Sequence, residues 1–287
     1  MNVYSNLVLS SGSLYSYSFI GCIKYLHDIG ILKNIKTFVG TSGGSIIAFF
    51  HVIGFTPDEM YIFTQEKCVG KDFANFDIGS IIDIVQQYGI NDGSELRELL
   101  EFALEKKGLD KDTKIIDIVK KTGKNLIICT SNITKGIPEY ISVDTHPDIP
   151  IVTAIMMSCA IPILFMPVKY KDCYYLDGAI IDPFPYKICE SVQLNSKDTI
   201  CIAINFDKPQ QCESNENVWD FFLHVLDMYK YYTFRVPSCT EGYEFIQIIF
   251  ENAEKGLNVY NMNGMKKEVL DTYIEKGYKA VKSHFKI

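Results

Sequence analysis

The 287-residue sequence predicts an α/β fold, a mainly parallel sheet covered by helices. Two observations carry this expectation. Near the N-terminus an apolar run, a small-residue loop and a helical pattern follow one another twice, the βαβα order of a parallel sheet. Later in the chain, 199–206 is a wholly apolar strand pattern and 245–250 another.

The elements follow in order. Residues 4–10 read as a short buried strand, Ser10-Ser11-Gly12-Ser13 as a polar loop, and 17–29 as a helix with Phe19, Ile20, Ile23 and Leu26 on one face. Phe38-Val39 is the next strand, and Ile46, Ile47, Phe49, Phe50 and Val52 mark the helix after it. From Pro57, which suits a first helical position after Thr56, the pattern is helical to about 122. Amphipathic segments over 80–88 and 94–107 are broken by Gly89 and Asp92-Gly93, and a shorter helix over 115–121 closes at Gly123. Strands resume at 125–130 and 138–143, a turn-rich loop covers 144–150, and 151–157 is helical. Residues 168–176 read as paired strand interrupted by Asp172, and 262–282 as an amphipathic helix. The aromatic segment 218–234 is apolar almost all round, the mark of a buried helix, with an interfacial anchor or a dimer contact as alternatives.

Composition narrows the function classes. With 28 Lys and Arg against 35 Asp and Glu the net charge is −7, without long runs of one sign. That argues against a nucleic-acid partner and against recruitment to strongly anionic membrane, and leaves a neutral lipid interface open. Nine scattered cysteines, none in a C-x-x-C pair, suggest neither a zinc cage nor a redox pair and fit a reducing, intracellular compartment. The N-terminus reads as a first strand rather than a signal peptide. The longest apolar stretches, about ten residues, are too short to span a bilayer. A soluble or peripherally membrane-associated protein is expected.

The chemistry centres on Gly40-Thr41-Ser42-Gly43-Gly44, a Gly-x-Ser-x-Gly pentad between a strand and a helix. Such a turn presents a serine on strained backbone beside the first N–H groups of the helix, where partial positive charge favours an oxyanion. Read blandly, the same residues are a Gly-rich turn at a helix start. A nucleophilic serine needs a base, and Asp177 in Leu176-Asp177-Gly178-Ala179 is a candidate. A carboxylate is a weak base in water, with a pKa near 4, and a desolvated site raises its basicity. The competing reading of Asp177-Gly178 is a hairpin turn. Histidines stand at 27, 51, 146, 224 and 284, none in a triad or metal-ligand spacing; His146 is the candidate if a third partner exists. Backbone N–H groups of Gly12, Ser13 and Gly43 are candidate oxyanion donors, against the simpler reading of 10–16 as a helix-capping loop.

Leu7-Val8-Leu9-Ser10 with its small-residue loop, and Gly40-Thr41-Ser42-Gly43-Gly44, resemble the patatin-like phospholipase family. Ser158-x-Ala160-x-Pro162-x-x-Phe165-x-Pro167, followed by Tyr175-Leu176-Asp177-Gly178-Ala179, is similar to that family's later conserved block. The resemblance implies a three-layer α/β/α sandwich whose catalytic core spans 5–189, with 190–287 completing the same globule. It also implies a Ser42–Asp177 dyad, with Gly40, Gly44 and Gly178 as supporting motif glycines. Neither a catalytic histidine nor a metal or other cofactor is implied. The implied substrate is a lipid or phospholipid, cleaved through an acyl-serine intermediate. The sequence departs from the family in the oxyanion loop: where the pattern is Gly-Gly-Gly-x-Lys/Arg-Gly, the chain has Ser11-Gly12-Ser13-Leu14-Tyr15-Ser16. The alternative is therefore a weakened or inactive relative that binds lipid or protein.

Overall fold

A computed structural model describes residues 3–71, 88–206, 242–251 and 265–285, together with 225, 228, 231 and 232. The expected helix over 80–88 (Tyr88 apart) and most of the aromatic segment 218–234 lie outside the described residues.

An eight-stranded sheet forms the centre. Five strands run parallel in the spatial order β10, β9, β1, β2, β4: Glu244–Phe250, Thr199–Phe206, Asn6–Leu9, Thr37–Thr41 and Asn125–Asn132. Antiparallel strands then close the far side. The strand β8 (Cys173–Asp177) pairs with β4, and β7 (Val168–Tyr170) pairs with β8. A further strand, β5 (Ile137–Ile141), returns along β4. The hairpin β7–β8 turns at Lys171-Asp172, where the sequence pattern breaks.

The parallel strands are apolar on both faces because both faces are covered. On one side Leu7, Leu9, Phe38, Leu126, Ile128, Ile200 and Ile202 join a large core. The helices α1 (Ser18–Asp28), α2 (Gly43–Val52), α6 (Ile151–Cys159) and α8 (Lys267–Phe285) contribute to it. On the other side Val8, Val39, Ile127, Cys201 and Ala203 meet Phe184, Tyr186 and Cys189 around the short α7 (Ile188–Ser191). The expected α1 face of Phe19, Ile20, Ile23 and Leu26 is fully buried. The helix α3 (Pro57–Lys67) begins with a capping box, Thr56 Oγ1 accepting from the Glu59 N–H and Glu59 Oε2 from the Thr56 N–H.

Two local expectations change. Residues Ser13–Tyr17 form a 3-10 turn, so α1 begins at Ser18 rather than at 17. The break expected around Gly89 is instead β3 (Gly89–Asn91), which pairs in parallel with β6 (Ile163–Phe165) in a separate two-stranded sheet. Three-residue strands carry too little periodicity to be seen in sequence; their partner makes them. Between β3 and β4 in the chain lie α4 (Ser94–Lys106) and α5 (Ile115–Thr122).

The helices α1 and α8 touch backbone to backbone. A Cβ on Gly277 would overlap the carbonyl oxygen of Ser18, and one on Gly21 that of Ile274. Helix propensity alone favours Gly277→Ala by about 1 kcal/mol. The overlap reverses the sign: we expect Gly277→Ala to destabilise by about 1–3 kcal/mol, read from the urea midpoint.

His51, on α2, is buried against the Phe38 ring, with Lys124 Nζ 3.0 Å from its Nε2. Burial first, and the Lys124 charge second, push its pKa down to about 3. A folded-state value below the unfolded 6.5 means that the unfolded chain binds the extra proton. The stabilising contribution is thus complete above pH 6.5 and lost as pH falls towards 3. Between pH 7 and pH 5 the wild type should lose about 2 kcal/mol more stability than His51→Gln, measured by urea unfolding at both pH values.

Candidate active site

Strand β2 ends at Thr41 and α2 begins at Gly43, so one residue makes the whole turn. That residue, Ser42, has φ 53° and ψ −127°, a region that costs a non-glycine residue of order 1–3 kcal/mol. Its surroundings hold it there. The Ser42 carbonyl accepts from the Ser45 N–H at 2.8 Å and from Ser45 Oγ at 2.6 Å. Its N–H donates to Ser158 Oγ at 2.8 Å, and Ser158 Oγ donates to the Cys129 carbonyl at 2.6 Å. The elbow glycines permit close packing: a Cβ on Gly44 would overlap the Ser10 carbonyl, and one on Gly40 would press on Ser45 Cα.

Asp177 closes β8 opposite Thr130 and lies beside the elbow. Ser42 Oγ donates to Asp177 Oδ2 at 2.6 Å, a bond between residues 135 positions apart. The other carboxylate oxygen, Oδ1, accepts from the Ala179 N–H at 2.8 Å, which fixes the plane of the group. The main chain of Asp177 is held as well, its N–H by the Ala160 carbonyl at 2.8 Å and its carbonyl by Ser131 Oγ at 2.9 Å. Asp177-Gly178 therefore does not make a hairpin turn; Asp177 caps the 3-10 turn Gly178–Ile180. Gly178 is needed for close approach, since a Cβ there would overlap the Cys129 carbonyl. Ser42 is 6% exposed and Asp177 3%, so the pair is screened from solvent while the serine keeps a small opening.

His146 is not part of this arrangement. Its Nε2 lies 3.4 Å from Glu139 Oε1, and burial lowers its pKa. His51 faces Lys124, His27 faces Asp28 and His284 faces Glu244. Among the described residues, then, the Ser42 hydroxyl is served by a carboxylate. Cys159, between the two helix-end contacts Ser158 and Ala160, is buried beside them. Burial, with the Asp177 charge a lesser cause, pushes its thiol well above the ordinary range and keeps it protonated.

The loop after β1 packs on the elbow. A Cβ on Gly43 would overlap Ser16 Oγ and press on the Ser13 carbonyl. Among the described residues no acceptor pairs with the backbone N–H of Gly12, Ser13 or Gly43. Ser13 has φ 47°, so the glycine missing from the family pattern at this position does leave a strained serine, at roughly 1–2 kcal/mol. The Ser16 hydroxyl bonds the Ser13 carbonyl across the turn.

A sequence profile described as patatin-like phospholipase matches residues 7–189, which contain every residue of this site. The chain belongs to the patatin-like phospholipase family. It is 34% identical over 185 residues to the probable lipid hydrolase 463L of invertebrate iridescent virus 6, covering 64% of this chain and 63% of that relative. The chain thus spans less than two thirds of that relative's length. Its fold is similar to VipD from Legionella pneumophila, with a TM-score of 0.61 at 17% identity over 99% of this chain and 67% of that one. Similarity extends to ExoU from Pseudomonas aeruginosa, solved with SpcU, at a TM-score of 0.52 and 14% identity over 99% of this chain and 52% of that one.

Against the family pattern, Tyr15 occupies the place of a Lys or Arg, and the structure explains how the loop is held without it. The Tyr15 ring stacks on Tyr273 at 5.2 Å and meets Phe250 at 4.6 Å and Phe206 at 5.1 Å between centroids. Aromatic packing on β9, β10 and α8 anchors this patatin-like loop. No local signal predicts it, because the partners lie near the other end of the chain. Nor does any local signal reveal the bond of Ser131; Ser158 and Ala160 stand together in the Ser158-x-Ala160-x-Pro162 block, which carries no sign of their partners. Tyr15→Ala, which removes this packing, should destabilise by about 3–5 kcal/mol in urea unfolding.

Proposed function

We propose that the chain is a serine-dependent lipid acyl hydrolase of the phospholipase A or lipase type, acting through a Ser42–Asp177 dyad. The observation that carries this reading is the 2.6 Å hydrogen bond from Ser42 Oγ to Asp177 Oδ2, on a strand-to-helix elbow and shielded from water. Membership of a phospholipase family supports the substrate class.

As Ser42 Oγ attacks the acyl carbonyl, Asp177 Oδ2 takes its proton. The carbonyl oxygen becomes an oxyanion beside the N-terminus of α2, where the Gly43 N–H and the N–H groups of Gly12 and Ser13 are its donors. Ser42's own N–H is committed to Ser158, so it is not among them. Collapse expels the alcohol portion of the lipid, which receives the proton back from Asp177 and leaves an acyl-Ser42 ester. Asp177 then deprotonates a water that hydrolyses this ester and regenerates the serine. Oδ1, held by the Ala179 N–H, keeps the carboxylate plane fixed through both steps.

Access is from a lipid surface, with the protein peripheral rather than spanning. Among the described residues no helix is long and apolar enough to cross a membrane. The described cysteines, seven in number, are all free, which suits the intracellular location expected from composition.

Labelling with a fluorophosphonate probe tests the reading. The folded wild type should be labelled, and Ser42→Ala should abolish labelling and lower ester hydrolysis by at least about 10³-fold. Asp177→Asn should lower hydrolysis by at least about 10²-fold while circular dichroism remains that of the wild type. A folded wild type that is labelled neither in buffer nor on phosphatidylcholine vesicles would favour a non-catalytic lipid- or protein-binding relative.

A further inference from the structure

The C-terminal turn of α6 grips both members of the pair. Ser158 Oγ accepts from the Ser42 N–H, and two residues later the Ala160 carbonyl accepts from the Asp177 N–H, both at 2.8 Å. Thr41↔Cys129 is the last register pair of β2 with β4. One residue further on, the elbow turns away from the sheet. The Ser158 hydroxyl joins the two backbone groups left there, donating to the Cys129 carbonyl at 2.6 Å while it receives the Ser42 N–H. A hydroxyl has a single proton. With that proton on Cys129, only a lone pair faces Ser42, so the direction of the relay is set. Ser158 is completely buried, and solvent offers neither backbone group a replacement partner.

We infer that Ser158 is a positioning residue for hydrolysis: its hydroxyl holds the strained Ser42 backbone at the angle that lays Oγ on Asp177. This rests on the Ser42–Asp177 reading above. The same bond removes the Ser42 N–H from the set of oxyanion donors, which makes Gly43 and the Gly12-Ser13 loop responsible for that charge. Alanine at 158 leaves the strand and helix in place but releases the Ser42 N–H. The serine then samples orientations in which Oγ misses Asp177, and a misplacement of this kind costs up to about 100-fold in rate. The loss is therefore expected in kcat rather than in KM.

The test measures kcat and KM for a soluble p-nitrophenyl ester, with fluorophosphonate labelling rates, in wild type, Ser42→Ala, Ser158→Ala, Ser158→Cys and Asn6→Ala. Asn6 is a buried residue that starts β1, at the opposite end of the parallel strands from the elbow; bonded through Nδ2 to Thr199 Oγ1 at 3.1 Å, it controls for loss of stability alone. Ser158→Ala should lower kcat and the labelling rate together by about 10- to 100-fold, with KM within about twofold and Asn6→Ala near wild type. Ser158→Cys keeps a side chain in the space but offers only a weak hydrogen bond, and should show the same split if the alanine variant fails to fold. A Ser42-dependent wild type whose folded Ser158 variants retain kcat within about twofold, or lose no more than Asn6→Ala, overturns the positioning role alone. A wild type that hydrolyses as fast as Ser42→Ala overturns the dyad reading and this role with it.

Discussion

Much of this structure follows from keeping one serine in a conformation it would not adopt unaided. Ser42 spends of order 1–3 kcal/mol on its φ of 53°, and it stands where a strand must become a helix within one residue. The return on that cost is geometric. Oγ projects from the C-terminal edge of the sheet beside the first N–H groups of α2, where charge developing on an oxygen is stabilised. The conformation persists because the elbow is over-determined: Ser45 holds its carbonyl, Ser158 holds its N–H, and its glycine neighbours leave no room to relax.

The second requirement is a carboxylate that meets the serine at the same edge, and the mixed sheet supplies it. β8 runs against β4, so the chain arrives from beyond the edge and stops level with the elbow, at Asp177. From there a 3-10 turn leads away, and its Ala179 N–H takes one carboxylate oxygen while the other is left for Ser42. The two carboxylate oxygens thus have different partners, and in the proposed dyad the one on the Ala179 N–H is structural and the one on Ser42 reactive. The histidine that was the best third partner by sequence, His146, is occupied with Glu139.

The loop after β1 shows one constraint met by different chemistry. Where the family pattern has glycines and a cation, this chain has serines and Tyr15. The Ser16 hydroxyl bonds across the tight turn, and the tyrosine ring packs among Phe206, Phe250 and Tyr273. A loop that packing fixes needs no buried charge with its desolvation cost. It still lies against Gly43 with its leading N–H groups free of described acceptors, as the proposed oxyanion role needs.

Elements whose signal is local were legible in the residues alone. The parallel strands announce themselves as apolar runs because both faces are covered, α3 by Pro57 after Thr56, and the elbow by small residues between a strand and a helix. Ser42 and Asp177 were legible as candidates, since each sits in a short motif with its own chemical logic. Their distance was not, and neither were the two hydrogen bonds of the Ser158 hydroxyl, the anchor of Tyr15, the β3–β6 pairing or the contact of Gly21 and Gly277 across α1 and α8. Each of these joins residues far apart in the chain, and a sequence pattern reports only what a residue's neighbours demand of it. Burial and hydrogen bonding between distant segments are decided when the sheet assembles and the helices close over it, and that assembly brings a hydroxyl and a carboxylate within 2.6 Å.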